Sequence, residues 1–298
     1  MQTIVLKELA AQIKQVFLEQ DTYVFGKLVT EFEKDGKFGG DFVYFAMIDP
    51  STTPATFYEV TSPFDLVSGK APQLALVFRD GKCVLNIDYT DYAAMRTGIM
   101  DGVVIAQTQS NKPVNVLLFG SGKTASWSIR GLAELTPWIK RIDYYSKSGK
   151  KASFESLGKE VGIELVYTQA WREQLSSYDV IICHTNASEP ILTAADMASV
   201  KQGAEIHSFI GSTEHGELAD QFYSAQAQIV SDWPKILADN KIMQRATTTG
   251  GVEPGKIVYL KEFFGNNYHL KAGVPYTIFQ FGGTPLQNLA VLQLLTKP

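Results

Sequence analysis

The sequence predicts an α/β protein in which a doubly wound parallel sheet follows an N-terminal α+β segment. From Val114 onward, short runs rich in β-branched and aromatic residues alternate with helical stretches. Parallel strands need crossover helices to bring the chain back to the same edge of a sheet, so this alternation is typical of βαβ units. The strand-like runs are, in order, VNVLLF, RIDYYS, IELVYT, YDVIICHT, GAEIHSFIG and AQIVSD. Helices are predicted up to Leu135 and around residues 154–161.

The segment before residue 90 has a different pattern. One amphipathic helix near the start precedes the strand-like runs DFVYFAMI, ATFYEV and LALVFRDGKCVLNI. The pair Asp80-Gly81 between two apolar runs is a hairpin signal, so we expect an antiparallel sheet here. After about Asp239 the periodicity weakens, and it recovers in PLQNLAVLQLLTK, which predicts a terminal helix.

Composition excludes several classes of protein. The chain has 298 residues, 45% hydrophobic and 19% charged, enough for one large or two smaller domains. A net charge of -4, with no basic cluster beyond SKSGKK, argues against nucleic acid as a partner. No apolar run approaches about 20 residues, so we expect a cytoplasmic protein with no membrane association. Cys83 and Cys183 each lie in an apolar run, which predicts buried, inert thiols.

The stretch VNVLLFGSGKTA contains two overlapping phosphate-binding signatures. A P-loop requires a glycine five positions before Gly122, and that position is Leu117, inside the predicted strand. The strand runs directly up to Gly120, which leaves no loop to surround a triphosphate. The sequence therefore argues against a P-loop.

A dinucleotide-binding turn fits the same residues better. Gly120 would make the tight turn after the strand, Gly122 would let a pyrophosphate approach the backbone, and Ala125 would permit close helix–strand packing. The pyrophosphate would lie at the helix N-terminus, beside Ser121, Lys123 and Thr124. An ordinary glycine-containing turn remains the alternative.

The residues at the end of RIDYY, the second strand of the predicted parallel sheet, indicate whether NAD(H) or NADP(H) binds. An acidic residue there accepts hydrogen bonds from the adenosine ribose, whereas a basic residue binds a 2′-phosphate. Here RIDYY is followed by Ser146, Lys147 and Ser148, and Asp143 lies too early in the strand. This pattern favours NADP(H) over NAD(H). The alternative is a solvated surface turn.

Five segments in a defined order resemble the ornithine cyclodeaminase/mu-crystallin family, over about residues 74–298. They are MRTGIMDGVVIAQ from Met95, VLLFGSGKTASWSIRGLAEL from Val116, HTNASEPIL from His184, IGSTEHGEL from Ile210 and TIFQFGGTPLQNLAVL from Thr277. The resemblance implies a homodimer with a Rossmann-type dinucleotide-binding domain at 99–274. It also implies a discontinuous α+β dimerisation and substrate domain, formed by residues 1–98 and 275–298.

The same resemblance implies roles for individual residues. Arg96 matches the family's carboxylate-binding arginine, and a planar guanidinium suits two carboxylate oxygens. Lys147 falls where many members have an arginine for the 2′-phosphate. Thr185 and Gly211 match positions near the nicotinamide.

Two departures concern catalysis. Cyclodeaminases of the family carry an arginine and a lysine in the N-terminal half, but this chain has neither Lys nor Arg between Lys37 and Lys70. The family's catalytic aspartate falls at Thr213. We expect Glu214 or His215, which follow it, to be the candidates for proton transfer.

The other histidines predict no metal site. His184 and His207 lie in apolar strands and are expected to be structural, and His269 is a weaker candidate for any role. The spacing of the four histidines fits no metal-ligand pattern.

The pattern as a whole predicts an NAD(P)H-dependent oxidoreductase acting on a small carboxylate-bearing substrate, such as an imine, a 2-oxo acid or a dehydroamino acid. Two alternatives remain open. One is a deaminating lyase or amino-acid condensing synthase that recycles its cofactor. The other is a non-catalytic, NADPH-dependent binder of small molecules.

Overall fold

A computed structural model describes residues 3–34, 37–65, 73–109, 112–187, 189–209, 216–265 and 268–297. The chain divides into two compact units. The first comprises Met1–Thr97 with Thr284–Pro298, and the second comprises Gly98–Gly283. No helix in the described part of the chain is long and apolar enough to cross a membrane.

The first unit contains a five-stranded antiparallel sheet in the order β1-β2-β3-β4-β5, as the sequence predicts. Its elements are α1 (Leu6–Leu18), β1 (Val24–Lys34), β2 (Lys37–Asp49), β3 (Thr56–Asp65), β4 (Leu74–Arg79), β5 (Lys82–Asp88) and the start of α2 (Thr90–Thr108). Asp80 and Gly81 join β4 to β5 with φ angles of 54° and 69°. Two successive positive φ angles suit a tight hairpin, so the Asp-Gly prediction is confirmed.

The second unit contains an eight-stranded sheet in which every strand pair is parallel. Its order is β12-β11-β13-β10-β9-β6-β7-β8. The elements are β6 (Val116–Phe119), α3 (Lys123–Leu135), β7 (Arg141–Tyr145), α4 (Ala152–Val161), β8 (Glu164–Tyr167), β9 (Val180–Cys183), β10 (Ala204–Ser208), β11 (Gln228–Ser231), α5 (Ile236–Asp239), α6 (Lys241–Thr248), β12 (Val258–Tyr259), α7 (Leu260–Phe264) and β13 (Tyr276–Gln280). The chain then returns to the first unit as α8 (Pro285–Leu295).

The strands in the middle of the parallel sheet are apolar and buried along their whole length. All four residues of β6 and all four of β9 are buried. Such continuous apolar runs are typical of parallel sheets covered on both faces. On one face α3 packs Ala125, Ile129 and Leu132 into this core. The predicted α/β class, with its second α+β unit, is confirmed.

Two details differ from the sequence predictions. β13 pairs with β10 and β11 inside the parallel sheet, so residues up to Gly283 belong to the second unit and the predicted boundary at 275 is too early. Cys183 is buried as predicted, but Cys83 is exposed. Cys83 lies directly after the β4–β5 turn, where the hairpin faces water.

Candidate functional site

The order in which successive strands are added to the sheet reverses between β6 and β9. The chain runs outward from β6 to β7 and β8 on one side, and from β9 to β10 on the other. In doubly wound sheets, ligands bind outside the carboxyl ends of the strands at such a switch point. Gly120 follows β6 and His184 follows β9, so both lie at this point.

Gly120 is required by its backbone geometry. Its φ angle is +107°, and a Cβ atom built on it would lie 2.0 Å from the carbonyl oxygen of His184. Its N–H donates to the carbonyl oxygen of Tyr145 at the end of β7, 2.9 Å away. The glycine therefore lets the turn pass close to the neighbouring strand ends.

Gly122 provides open space at the start of α3. A Cβ atom built on it would meet no atom within 4 Å. It is the N-cap of the helix and makes no side-chain capping hydrogen bond, and the amides at a helix N-terminus such as this one can bind an anion. Ala125 itself is fully buried against the sheet. This geometry fits a dinucleotide pyrophosphate.

The P-loop is excluded by the same turn. β6 ends at Phe119 and α3 begins at Lys123, so only three residues connect them. The lysine and threonine of GSGKT form the first turn of the helix, as the sequence predicts.

Hydroxyl groups line the end of β7. The Oγ atoms of Ser121 and Ser146 are 2.8 Å apart, and those of Ser146 and Ser148 are 2.9 Å apart. Lys147 between them is exposed and makes no ion pair with any described residue. Such hydroxyl and ammonium groups can donate hydrogen bonds to a phosphate.

Asp143 is not available to a ribose. Its two carboxylate oxygens accept hydrogen bonds from Nε of Arg141 and from the hydroxyl of Tyr178, both at 2.9 Å. Burial, and then the hydrogen bond to Asp143, raise the pKa of the Tyr178 hydroxyl. The carboxylate is a structural link between β7 and the segment before β9.

A buried carboxylate, Glu217, joins the ends of β9 and β10. Its Oε1 accepts from the amide and hydroxyl of Thr185 at 2.8 and 3.0 Å. Its Oε2 accepts from the amide of Phe209 at 2.9 Å and from the hydroxyl of Ser208 at 3.1 Å. Burial raises the pKa of Glu217, although the backbone hydrogen bonds oppose that shift. Glu217 thus fixes Thr185, one of the predicted cofactor residues.

A second buried carboxylate, Asp101, joins two histidines beneath the switch point. Nε2 of His184 donates to Oδ2 at 2.7 Å, and Nδ1 of His207 donates to Oδ1 at 2.7 Å. The hydroxyl of Ser128 donates to Oδ2 at 2.5 Å. All four side chains are buried.

The charges of this cluster are set by its contacts. Burial raises the pKa of Asp101, but His184 and His207 outweigh burial and hold that pKa at about 2. Burial lowers the pKa of His207, but the hydrogen bond to Asp101 and the nearby carboxylate of Glu205 raise it to about 9. Asp101 is therefore ionised and His207 protonated at neutral pH.

Close helix packing brings these groups together. A Cβ atom built on Gly98 of α2 would lie 2.5 Å from the carbonyl oxygen of Thr124 and 2.6 Å from the amide nitrogen of Ser128, both on α3. One turn further, a Cβ on Gly102 would lie 2.8 Å from the carbonyl oxygen of Gly131. Because both positions are glycine, the helix backbones touch and Ser128 reaches Asp101.

In the first unit, Arg96 is buried and its Nη1 donates to Oε1 of Gln287 on α8, 2.7 Å away. Gln287 holds the guanidinium that the family resemblance assigns to the substrate carboxylate. The predictions for Gly211, Thr213, Glu214 and His215 lie outside the described residues. Among the described residues, no group of three or more His, Cys, Asp or Glu side chains is arranged to hold a metal ion.

Sequence reasoning did not identify Asp101, Ser128, Glu217 or Gln287 as site residues. The charge of Asp101 within the apolar stretch GIMDGVVIA was the available signal, because a buried carboxylate needs partners. The buried histidines were expected to be structural, but not to share one acid.

No protein-family model matches the sequence, and no curated protein matches it significantly. Solved structures match it closely in fold. Delta(1)-pyrroline-2-carboxylate reductase of Thermococcus litoralis, in complex with NADH and L-proline, is 21% identical, with a TM-score of 0.82 over 98% of this chain and 92% of that chain. A probable ornithine cyclodeaminase from Bordetella pertussis Tohama I is 17% identical, with a TM-score of 0.80 over 97% and 91% of the two chains. An archaeal alanine dehydrogenase dimer with bound NAD is 17% identical, with a TM-score of 0.78 over 98% and 91%.

These likenesses establish the fold. The chain has the fold of the ornithine cyclodeaminase-like enzymes, and its low identity to them makes it a divergent example of that fold. The resemblance predicted from the sequence is confirmed at this level.

Proposed function

We propose that this protein is an NADP(H)-dependent oxidoreductase that acts on the C=N or C=O bond of a small carboxylate-bearing substrate. The observation that carries the proposal is the turn of Gly120 to Gly122, with its open space and uncapped helix at the switch point of the sheet. Its support includes the fold shared with a reductase in complex with NADH and L-proline and with an alanine dehydrogenase with bound NAD.

Specific residues would hold the reactants. The amides of the turn and of the first turn of α3 would bind the pyrophosphate, while Thr185 and Gly211 would lie near the nicotinamide. Arg96 would bind the substrate carboxylate, and Gln287 would orient it. When bound, the nicotinamide supplies or accepts a hydride, and the protein's task is to orient the substrate and exclude water.

The preference for NADP(H) rests on the end of β7. Ser146, Lys147 and Ser148 offer donors for a 2′-phosphate, and the nearby Asp143 is occupied by Arg141 and Tyr178. We expect Lys147→Glu to weaken NADPH binding about tenfold and to leave NADH binding nearly unchanged, because only NADPH carries the 2′-phosphate. Calorimetry with each cofactor measures the two dissociation constants, and their ratio gives the preference for NADPH over NADH.

A matched control makes this test specific. Lys140→Glu gives the same charge change at the opposite end of β7, where Lys140 is also exposed. If both substitutions changed the ratio of NADPH affinity to NADH affinity equally, the assignment of Lys147 to the 2′-phosphate would be contradicted.

The reaction is tested with a panel of cyclic imines, 2-oxo acids with amines, and dehydroamino acids. We expect NADPH oxidation with at least one of them. Tight NADPH binding with no oxidation of any substrate would count against the oxidoreductase. Ammonia release from a diamino acid without net cofactor change would instead identify a deaminating lyase that recycles its cofactor.

We also propose that the protein is a homodimer. By strand register, Val24, Leu28, Phe57 and Leu74 point to one face of the antiparallel sheet, and they are 60%, 58%, 46% and 41% exposed. An apolar sheet face that is open to water is typical of a protein–protein interface. The alternation along the same strands buries the opposite face, whereas the described residues of the chain leave these four side chains open to water.

A further inference from the structure

We propose that His184, oriented by Asp101, is the proton-transfer group of this site. The proposal rests on the oxidoreductase function, since reduction of a C=N or C=O bond needs a proton as well as a hydride. It assigns that proton to a residue that the sequence alone presents as structural.

His184 stands at the right place in the fold. It follows β9 directly, and its carbonyl oxygen is the atom that a Cβ on Gly120 would strike at 2.0 Å. The next residue, Thr185, is held by Glu217 at the same strand ends. His184 is therefore next to the turn that would bind the dinucleotide.

One edge of the imidazole is fixed and the other has no partner. Nε2 donates to Asp101 at 2.7 Å, and the ring packs on Phe209 with centroids 4.2 Å apart. Nδ1 is buried and has no hydrogen-bond partner among the described residues. The two ring nitrogens lie on different edges, so Nδ1 faces away from Asp101. A buried polar atom without a partner requires an explanation, and a bound reactant provides one.

The Asp101–His184 pair has the arrangement of known acid–base dyads. In such pairs the carboxylate holds the imidazole in one tautomer and orientation, and the opposite nitrogen exchanges a proton with the substrate. Ser128 gives Asp101 a further hydrogen bond at 2.5 Å, which fixes the carboxylate itself. The pair is buried beside the close contact of α2 and α3.

His184 would also fill a chemical gap. The resemblance implies a lysine in the N-terminal half and an aspartate at the position of Thr213, and this chain has neither Lys nor Arg between Lys37 and Lys70. In the reductive direction, a bound dihydronicotinamide would supply the hydride to the carbon of the double bond. The imidazolium form of His184 would give its Nδ1 proton to the nitrogen or oxygen and become the neutral Nε2–H tautomer, which solvent would then reprotonate.

His207 provides the internal comparison. It donates to the same carboxylate at the same 2.7 Å distance, but its Nε2 lies 3.6 Å from Glu205, which in turn accepts from Thr108 and Gln109. Its Nε2 is likewise buried without a hydrogen-bond partner among the described residues, but it faces another buried acid, Glu205. We assign His207 a structural role.

The test compares His184→Gln with His207→Gln, the same change at the two partners of Asp101. With the substrate found in the panel, we expect His184→Gln to lower kcat about 100-fold and to change the Kd for NADPH by no more than about twofold. His207→Gln should lower stability but keep kcat within a few-fold of the wild type. Wild-type turnover in His184→Gln, or an equal loss in both variants, would overturn the proposal.

A second measurement does not depend on turnover. Nitrogen NMR of histidine-labelled wild-type protein follows Nδ1 of His184, with the two variants assigning the signals by difference. Adding NADPH and pyrrole-2-carboxylate, a planar carboxylate probe, should shift the His184 signal more than that of His207. An unchanged His184 signal in protein that binds NADPH overturns this proposal alone, whereas failure to bind NADPH overturns the proposed function as well.

Discussion

Asp101 illustrates how one buried carboxylate can determine the state of several residues. It accepts hydrogen bonds from His184, His207 and Ser128, and each of these donors is itself buried. Removing one member of a buried ionic cluster typically costs about 3–5 kcal/mol, because the remaining charge loses its compensation. The cluster is therefore expected to influence stability as well as chemistry.

The pKa values of the cluster predict a pH dependence of stability. The pKa of His207 is raised from 6.5 to about 9, so its contribution is complete below 6.5 and is lost as the pH rises through 9. The pKa of Asp101 is lowered from 3.8 to about 2, so its contribution is complete above 3.8 and is lost as the pH falls through 2. We expect the free energy of unfolding to fall between pH 6.5 and 9, as measured by urea denaturation. His207→Gln should flatten that part of the curve, and equal slopes in the two proteins would refute the prediction.

The two glycines of the turn predict separate effects on folding and on binding. Gly120→Ala should lower the free energy of unfolding by more than about 2 kcal/mol, because the residue has a positive φ and its Cβ would overlap the carbonyl of His184. Gly122 has a φ of -88°, and a Cβ atom built on it would meet no other atom within 4 Å. The free energy of unfolding should therefore change little in Gly122→Ala. NADPH affinity should nevertheless fall about tenfold, because the methyl group would occupy the space open to the pyrophosphate.

Denaturation and calorimetry on both variants test this separation. If Gly122→Ala bound NADPH like the wild type, the turn would be an ordinary strand–helix connection. The alternative left open by the sequence would then be favoured.

At the scale of elements, the contact between α2 and α3 builds the acid–base cluster. The glycines at 98, 102 and 131 let the two backbones touch, and this contact brings Ser128 to Asp101. The first turn of α3 also carries the amides of the candidate pyrophosphate site. Packing and ligand binding are therefore coupled through one helix.

Gly98→Ala tests this coupling. Its Cβ would lie 2.5 Å from a backbone oxygen of α3, so the helices must separate, and overpacking of this kind costs about 1–3 kcal/mol. We expect both a lower melting temperature and weaker NADPH binding. Gly255→Ala, whose Cβ meets no atom within 4 Å, is the control and should change neither. If Gly98→Ala lowered the melting temperature but left NADPH affinity unchanged, the packing of α3 would not be coupled to ligand binding, and the prediction would be wrong.

Elements were predictable where local signals were strong. β6, α3 and β7 follow from apolar runs and a glycine turn, and the β4–β5 hairpin follows from Asp80-Gly81. β13 was not recognised as a member of the parallel sheet, because its place between β10 and β11 depends on pairing with strands far away in the sequence. Such pairing leaves no periodic trace within the segment itself.

At the scale of the whole molecule, the exposed apolar face of the antiparallel sheet predicts association. Phe57→Glu should convert the proposed dimer to a monomer, because a buried, unpaired carboxylate is unfavourable in an interface. Light scattering coupled to size-exclusion chromatography measures the mass. Leu18→Glu, on α1 and 44% exposed against 46% for Phe57, is the control and should leave the dimer intact. A wild-type monomer would contradict the proposal directly.

The sequence by itself determined the class of fold and the glycine turn between β6 and α3, because both depend on local patterns: apolar runs, helix periodicity and glycine spacing. Only the tertiary structure identified Asp101 and Glu217 as the residues that organise the strand ends. Asp101 is 83 residues from His184 and 106 from His207, and Glu217 is 32 from Thr185. A buried charge must find its partners wherever the chain brings them, so these contacts are decided by packing rather than by sequence neighbours.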